Sequence, residues 1–208
     1  MRYILFILLM VTVQLARAES ACGTLRNHYG PYDYTNIEDR QVRLPIVEKH
    51  HFNADVESLK RGINGPVWTD LNYTLRTFPN HHRALYAMAM YQLKNPRPIK
   101  APPRYLHIDC YFERAMRFKP DDGNVRLIHG IYLHRKGELQ KSLKRYKEAE
   151  SLLKERQSKT LFYNMSLLLL DMKKYDQAVI YAKKAYALGN KLPGLRKRLM
   201  KLGIWEGK

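Results

Sequence analysis

From Asn53 to Leu202, apolar and polar residues fall into blocks of helical length, separated by glycine, proline and capping residues. Asn53 to Arg61 reads as a short helix with Asn53 as its N-cap and Gly62 just past its end. Gly65-Pro66 resets the chain, and a second helix runs from Pro66 to Phe78. Asn80, a cap, opens a helix to Lys94. Pro96, Pro98, Pro102 and Pro103 make Asn95 to Arg104 a loop. Helices are then predicted over Tyr105–Lys119, Asn124–Lys136, Glu138–Leu153, Ser158–Met172 and Tyr175–Leu188. Gly189-Asn190 ends the last of these. Pro193 starts a terminal helix that Gly203 stops after Leu202. The pattern predicts an all-α chain.

The blocks repeat. Tyr111 to Pro120 and Asn72 to Pro79 both end a helical pattern in proline followed by polar capping residues, Asp121-Asp122 and Asn80. Ala115 to Ala149 is a step of 34 residues and Ala149 to Ala185 one of 36, whereas Thr74 to Ala115 is 41. Small residues recur where paired helices must approach closely: Gly130, Ser142 and Ala149 in one unit, Ser166, Ala178, Ala182 and Ala185 in the next. Gly137 marks a turn, and Tyr146 and Tyr175 are large neighbours of the small positions. This register resembles the tetratricopeptide repeat (TPR), a helix-turn-helix unit of 34 residues, closely over Asn80 to Leu188 and less closely over Asn53 to Pro79. The resemblance implies a TPR-type α-solenoid of antiparallel helix pairs over residues 53–208, with Pro193–Leu202 capping its open end.

Residues 19–52 do not repeat. Tyr29-Gly30-Pro31-Tyr32-Asp33-Tyr34 cannot be helical through Pro31, and its three tyrosines need partners, so an extended strap packed along the solenoid is expected. Together with Phe78 to Leu85, this stretch resembles exported bacterial TPR proteins. Residues 1–18 carry the matching address. Arg2 precedes the run from Ile4 to Val13, in which Thr12 is the single polar residue, and Ala16-Arg17-Ala18 gives a small-x-small cleavage pattern. The apolar run is far short of the roughly 20 residues that span a bilayer. A signal peptide cleaved after Ala18 is expected, with a periplasmic destination in a two-membrane bacterium. Cys22 is not read as a lipidation site, because Glu19 stands where a lipobox has leucine. In an oxidising compartment, Cys22 and Cys110 are expected to pair.

Charge changes the picture of the partner. The 37 Lys+Arg against 19 Asp+Glu give a net charge of +18, and cleavage would remove Arg2 and Arg17 to leave +16. From Arg135 onward there are 19 basic and 7 acidic residues, so +12 of that charge lies in the last third. Arg196, Lys197, Arg198 and Lys201 cluster on the terminal helix with no acidic residue between Leu188 and Ile204. They form the expected anion-facing surface, suited to an acidic protein, a lipid headgroup surface or an envelope polyanion; nucleic acid is not the expected partner.

Catalytic chemistry finds little support. There is no Gly-rich phosphate loop, Gly-x-Ser-x-Gly elbow or Cys-x-x-Cys. The pairs His50-His51 and His81-His82, with His28 and His107 elsewhere, are the best case for a metal, but adjacent helical residues diverge by about 100° and each pair offers one ligand. Glu38-Asp39 and Asp121-Asp122 suit helix starts. Asn72-Tyr73-Thr74 and Asn164-Met165-Ser166 match the glycosylation pattern inside predicted helices and are read as chance. No enzyme activity, cofactor or metal is expected. The TPR resemblance instead implies a concave peptide-binding groove. Its positions fall on Arg83, Tyr86 and Met90, then Asn124, Leu127, Ile131 and Arg135, then Tyr163, Asn164, Leu167 and Asp171. Leu127 takes a place where the family's clamp for a terminal carboxylate has lysine, and is expected to be partly exposed. The expected function is an exported protein–protein interaction scaffold. The alternative is a binder of anionic polymers or membrane surfaces through the basic C-terminal half.

Overall fold

A computed structural model describes residues 22–96 and 106–205. The expected signal peptide, and most of the proline-rich loop, lie outside the described residues. Eleven α-helices and one 3-10 turn, and no strand, make up the described residues. The order is α1 (Ile37–Val42), α2 (Leu44–His51), α3 (Ala54–Glu57), α4 (Val67–Thr77), α5 (His82–Lys94), α6 (Ile108–Phe118), α7 (Gly123–Arg135), α8 (Leu139–Leu152), α9 (Lys159–Asp171), α10 (Tyr175–Ala187) and α11 (Pro193–Lys201). None of them is long and apolar enough to cross a membrane.

The helix pairs α7/α8 and α9/α10 are the regular part of the stack. A Cβ on Gly130 would lie 2.4 Å from the Tyr146 ring, so only glycine lets α7 approach α8 this closely. Ser142 in α8 donates to the Gly130 carbonyl of α7 at 2.8 Å. In the next pair Ser166 in α9 donates to the Ala178 carbonyl of α10 at 2.7 Å. Tyr146, Ala149, Ala178, Ala182 and Ala185 are buried between the helices. Gly137 and Lys173 end the equivalent turns in the left-handed region, at φ 84° and 58°. The α11 helix closes the end of the stack by burying Leu195 and Leu199 against α9 and α10.

The first half is less regular. Phe52, Val56, Leu71, Leu75, Leu85, Met88, Ile108 and Phe112 form its core, which Tyr132 joins to α7. The α3 helix is shorter than expected. Ser58 Oγ donates back to the Ala54 carbonyl at 2.7 Å, and Leu59 turns left-handed at φ 61°, so the chain leaves the helix before Gly62. At the start of α5 the cap is His81, whose Nδ1 accepts the Ala84 amide at 3.1 Å; Asn80 is buried instead and holds the strap.

The strap is extended only up to Asn36 and then folds into α1 and α2. Asn36 caps α1, accepting the Glu38 and Asp39 amides, while Pro45 sits in the first turn of α2, where a missing N–H costs nothing. Leu44 and Val47 bury against Phe78, with Tyr29, Tyr32 and Tyr34 around them. Tyr32 donates its amide to the Thr77 carbonyl at 2.8 Å, and Tyr34 lies over His81 with ring centroids 4.4 Å apart. Cys22 and Cys110 form the expected disulfide, across 88 residues of sequence. Beyond it, Arg114 donates to the Cys22 and Thr24 carbonyls and Arg117 to that of Gly23 at 2.6 Å.

Candidate functional site

Where the C-terminal turns of α7 and α9 lie side by side, they bound an open cavity of about 480 Å³. Ile131 and Arg135 line it from α7, Asn164, Leu167 and Asp171 from α9, and Leu139 closes it from the start of α8. Positions read from the repeat register therefore meet in one place. Ile131 and Leu167 are half-buried, as apolar anchors must be if they are to contact a ligand without exposing a large greasy patch. Asn164 Nδ2 donates to the Thr160 carbonyl at 2.8 Å, which fixes the amide and leaves its oxygen as an acceptor. Arg135 is exposed, and among the described residues no carboxylate pairs with it.

The floor at the α9 end is set by a chain the sequence did not reveal. Asp171 accepts from His134 Nε2 at 2.7 Å and from Arg198 Nη2 at 2.7 Å, tying α7, α9 and α11 together. Burial pushes the Asp171 carboxyl up, but the bonds from Arg198 and His134 outweigh it and hold the group below the usual carboxylate range. The one hint was that Asp171 is the lone acid among the groove positions, facing a terminal helix rich in cations.

Other expected groove residues serve the fold. Leu127 is only 6% exposed and belongs to the second core cluster, so its expected exposure is corrected. It is buried in the same cluster as Tyr146 of α8 and Leu161 of α9, helices that both contact α7. Asn124 is half-buried in the first turn of α7, where its amide is bonded to the Asp122 cap at 3.0 Å. Tyr163 accepts the Leu195 amide at 3.2 Å and so anchors α11. Arg83 donates to Glu57 at 2.8 Å and to Glu48 at 3.2 Å and lies over Phe52, so helices α2 and α3 have claimed it. Its guanidinium is held charged above the ordinary range, chiefly by the Glu57 hydrogen bond. Tyr86 is exposed and Met90 half-buried on the same helix, α5. Neither lines the α7/α9 cavity.

The basic face is also thinner than its sequence suggests. Arg198 is paired with Asp171, a partner one repeat away that a local inspection of charge misses. Arg196 lies over the rings of Tyr186 and Trp205, at 4.9 and 5.9 Å. Lys197 and Lys201 remain exposed.

Residues of the histidine pairs act as a helix cap and as hydrogen-bond partners of carboxylates. His81 Nε2 meets Glu48 at 3.1 Å, His82 Nε2 meets the Asp122 cap at 2.8 Å, and His51 Nδ1 meets Asp70 at 3.0 Å. Among the described residues no group of three or more His, Cys, Asp or Glu side chains is placed to hold a metal ion.

No protein-family model and no curated protein matches the sequence. Among solved structures the chain is similar to one described as the functional characterization of PilF of Pseudomonas aeruginosa, a TPR-containing protein. The match has a TM-score of 0.54 and 20% sequence identity, and it covers 80% of this chain and 70% of that one. With the helix pairs described above, this likeness establishes a TPR-like α-solenoid fold.

Proposed function

We propose that the protein is an exported, non-enzymatic interaction scaffold that holds an extended segment of a partner protein in the α7/α9 groove. The observation that carries this reading is the meeting of Ile131, Arg135, Asn164 and Leu167 around one open cavity. Ile131 and Leu167 offer an apolar seat. Arg135 offers an uncommitted guanidinium that suits a carboxylate or a run of backbone carbonyls. The segment would therefore carry an acidic residue beside an apolar anchor. The Cys22–Cys110 disulfide fits a protein working in an oxidising compartment. Binding of anionic polymers through the C-terminal helix ranks behind the groove, because Arg196 and Arg198 are already engaged within the fold.

Selection from a random displayed-peptide library tests the reading. Peptides retained by the wild type should pair an acidic with an apolar residue, and Ile131→Glu combined with Arg135→Glu should weaken them at least tenfold. Retention of the same peptides by the double variant would remove the groove from consideration. Raising salt should weaken a groove peptide only modestly, whereas polyanion binding falls steeply with salt.

A further inference from the structure

A second, larger cavity lies away from the groove, between the strap and α4. Its volume is about 810 Å³, within the range of small-molecule sites, and none of its lining residues is acidic. We propose that it binds an acidic sugar, meaning a sugar-sized ring bearing a phosphate or a carboxylate.

The charge argument rests on two arginines. Arg26 reaches the cavity from the strap and Arg76 from α4, and among the described residues neither has a carboxylate partner. Arg76 is half-buried, so its charge is not left there merely for solubility. On α6, Arg114 is 4% exposed and its Nε has no hydrogen-bond partner. Burial, and then repulsion from Arg117 and Arg76, push the Arg114 guanidinium below its ordinary range. Several guanidinium groups thus crowd one region, where backbone carbonyls of the strap provide the compensation. The nearby acid Glu113 is shared with Arg117 at 3.4 Å. An oxyanion between Arg26 and Arg76 would relieve this excess, and a guanidinium fork matches either a phosphate or a carboxylate.

The remaining lining selects for more than charge. Asn72 Oδ1 accepts from the Tyr111 hydroxyl at 2.7 Å, which leaves the Asn72 NH₂ as a donor to a ligand. Tyr73 is 38% exposed and is held flat by His51, with ring centroids 3.7 Å apart and an interplanar angle of 23°. His51 is itself fixed by the buried carboxylate of Asp70 at 3.0 Å. A rigid, partly exposed aromatic ring beside amide and guanidinium donors suits a ring-shaped polar ligand with one apolar face. The cavity is also larger than one inorganic oxyanion requires.

Isothermal titration of the full chain tests this with four probes: glucose 6-phosphate, glucuronate, inorganic phosphate and glucose. At least one acidic sugar should bind saturably, at least tenfold more tightly than inorganic phosphate, while glucose shows no binding. The two acidic sugars tell which oxyanion is preferred. Arg26→Gln, on the exposed strap, and Arg76→Gln should each weaken that binding at least tenfold. Tyr73→Ala should weaken the sugar and leave phosphate unchanged. Ile131→Glu should leave it unchanged, which separates this cavity from the groove. Three results would overturn the proposal: no saturable binding of either acidic sugar, binding that survives the two arginine substitutions together, or phosphate binding as tight as that of the sugars.

Discussion

The two halves of the molecule are held together by different means. In α7 to α10 the helices are paired by small residues at repeating positions, by Ser142 and Ser166 reaching across each pair, and by a continuous apolar interior. In the strap and α1 to α6, buried polar groups carry the specificity. Asn80 is fully buried, donates to Asp33 at 2.8 Å and Asp122 at 3.1 Å, and accepts the Tyr34 amide at 2.9 Å. A repeat can tolerate variation at any one contact because its neighbours supply the same kind of packing. A polar network cannot, because each member left without its partner is an orphan in a low-dielectric interior.

Removing the disulfide should show the contrast most strongly. For a closure of 88 residues, the chain-entropy model gives about 4–5 kcal/mol, less any native strain. Cys22→Ser with Cys110→Ser should lower the denaturant midpoint. In hydrogen exchange the loss should concentrate on the Tyr32 and Tyr34 amides and spare α9 and α10. Uniform loss along the chain would mean that the halves unfold as one unit.

Next in size is Asn80→Leu, which leaves the Tyr34 amide without its acceptor, takes one donor each from Asp33 and Asp122, and should cost about 3 kcal/mol. Chemical denaturation at neutral pH measures it, and a cost below about 1 kcal/mol would deny the network its role.

At the junction of the halves, His129 stacks flat on Phe112 at 4.3 Å, and its Nδ1 is buried without a partner. Burial, aided by Arg145, pushes its pKa down to about 3. The folded His129 therefore stays neutral, while the unfolded chain takes up a proton below its usual value near 6.5. Stability should fall as pH drops below that value, by about 1.4 kcal/mol per pH unit at most. Buried His81 shifts in the same direction. His129→Phe keeps the stack and should flatten much of the slope between pH 6.5 and 5, read as melting temperature against pH.

The smallest effect belongs to the regular half. Lys173 adopts φ 58° at the turn position that Gly137 fills in the preceding pair. Lys173→Gly should raise stability by about 1 kcal/mol, measured by urea unfolding.

The regular half was legible because its determinants are local. Gly189 and Pro193 mark where α10 ends and α11 begins, and the alanine spacing sets the pairing. The strap helices were hidden. They are short, Pro45 reads as an interruption, and Leu44 and Val47 show their common face only once Phe78 is there to receive it. Register alone brought Ile131, Arg135, Asn164 and Leu167 to one face, and all four line the α7/α9 cavity. Register misplaced Leu127, because the contacts of α7 with α8 and α9 decide its burial. It could not foresee that Arg83 and Arg198 would meet acids 26 and 27 residues away.

The reversed serine bonds bear on how such repeats change over time. In one pair the hydroxyl donor sits on the second helix and glycine on the first; in the next the donor sits on the first helix and alanine on the second. The interaction belongs to the pair and to neither position alone. A lineage can pass from one arrangement to the other through an intermediate with two small residues, losing only one modest hydrogen bond on the way. Scored one position at a time, both arrangements look like departures from a consensus. Scored as a couple, they are two spellings of the same word.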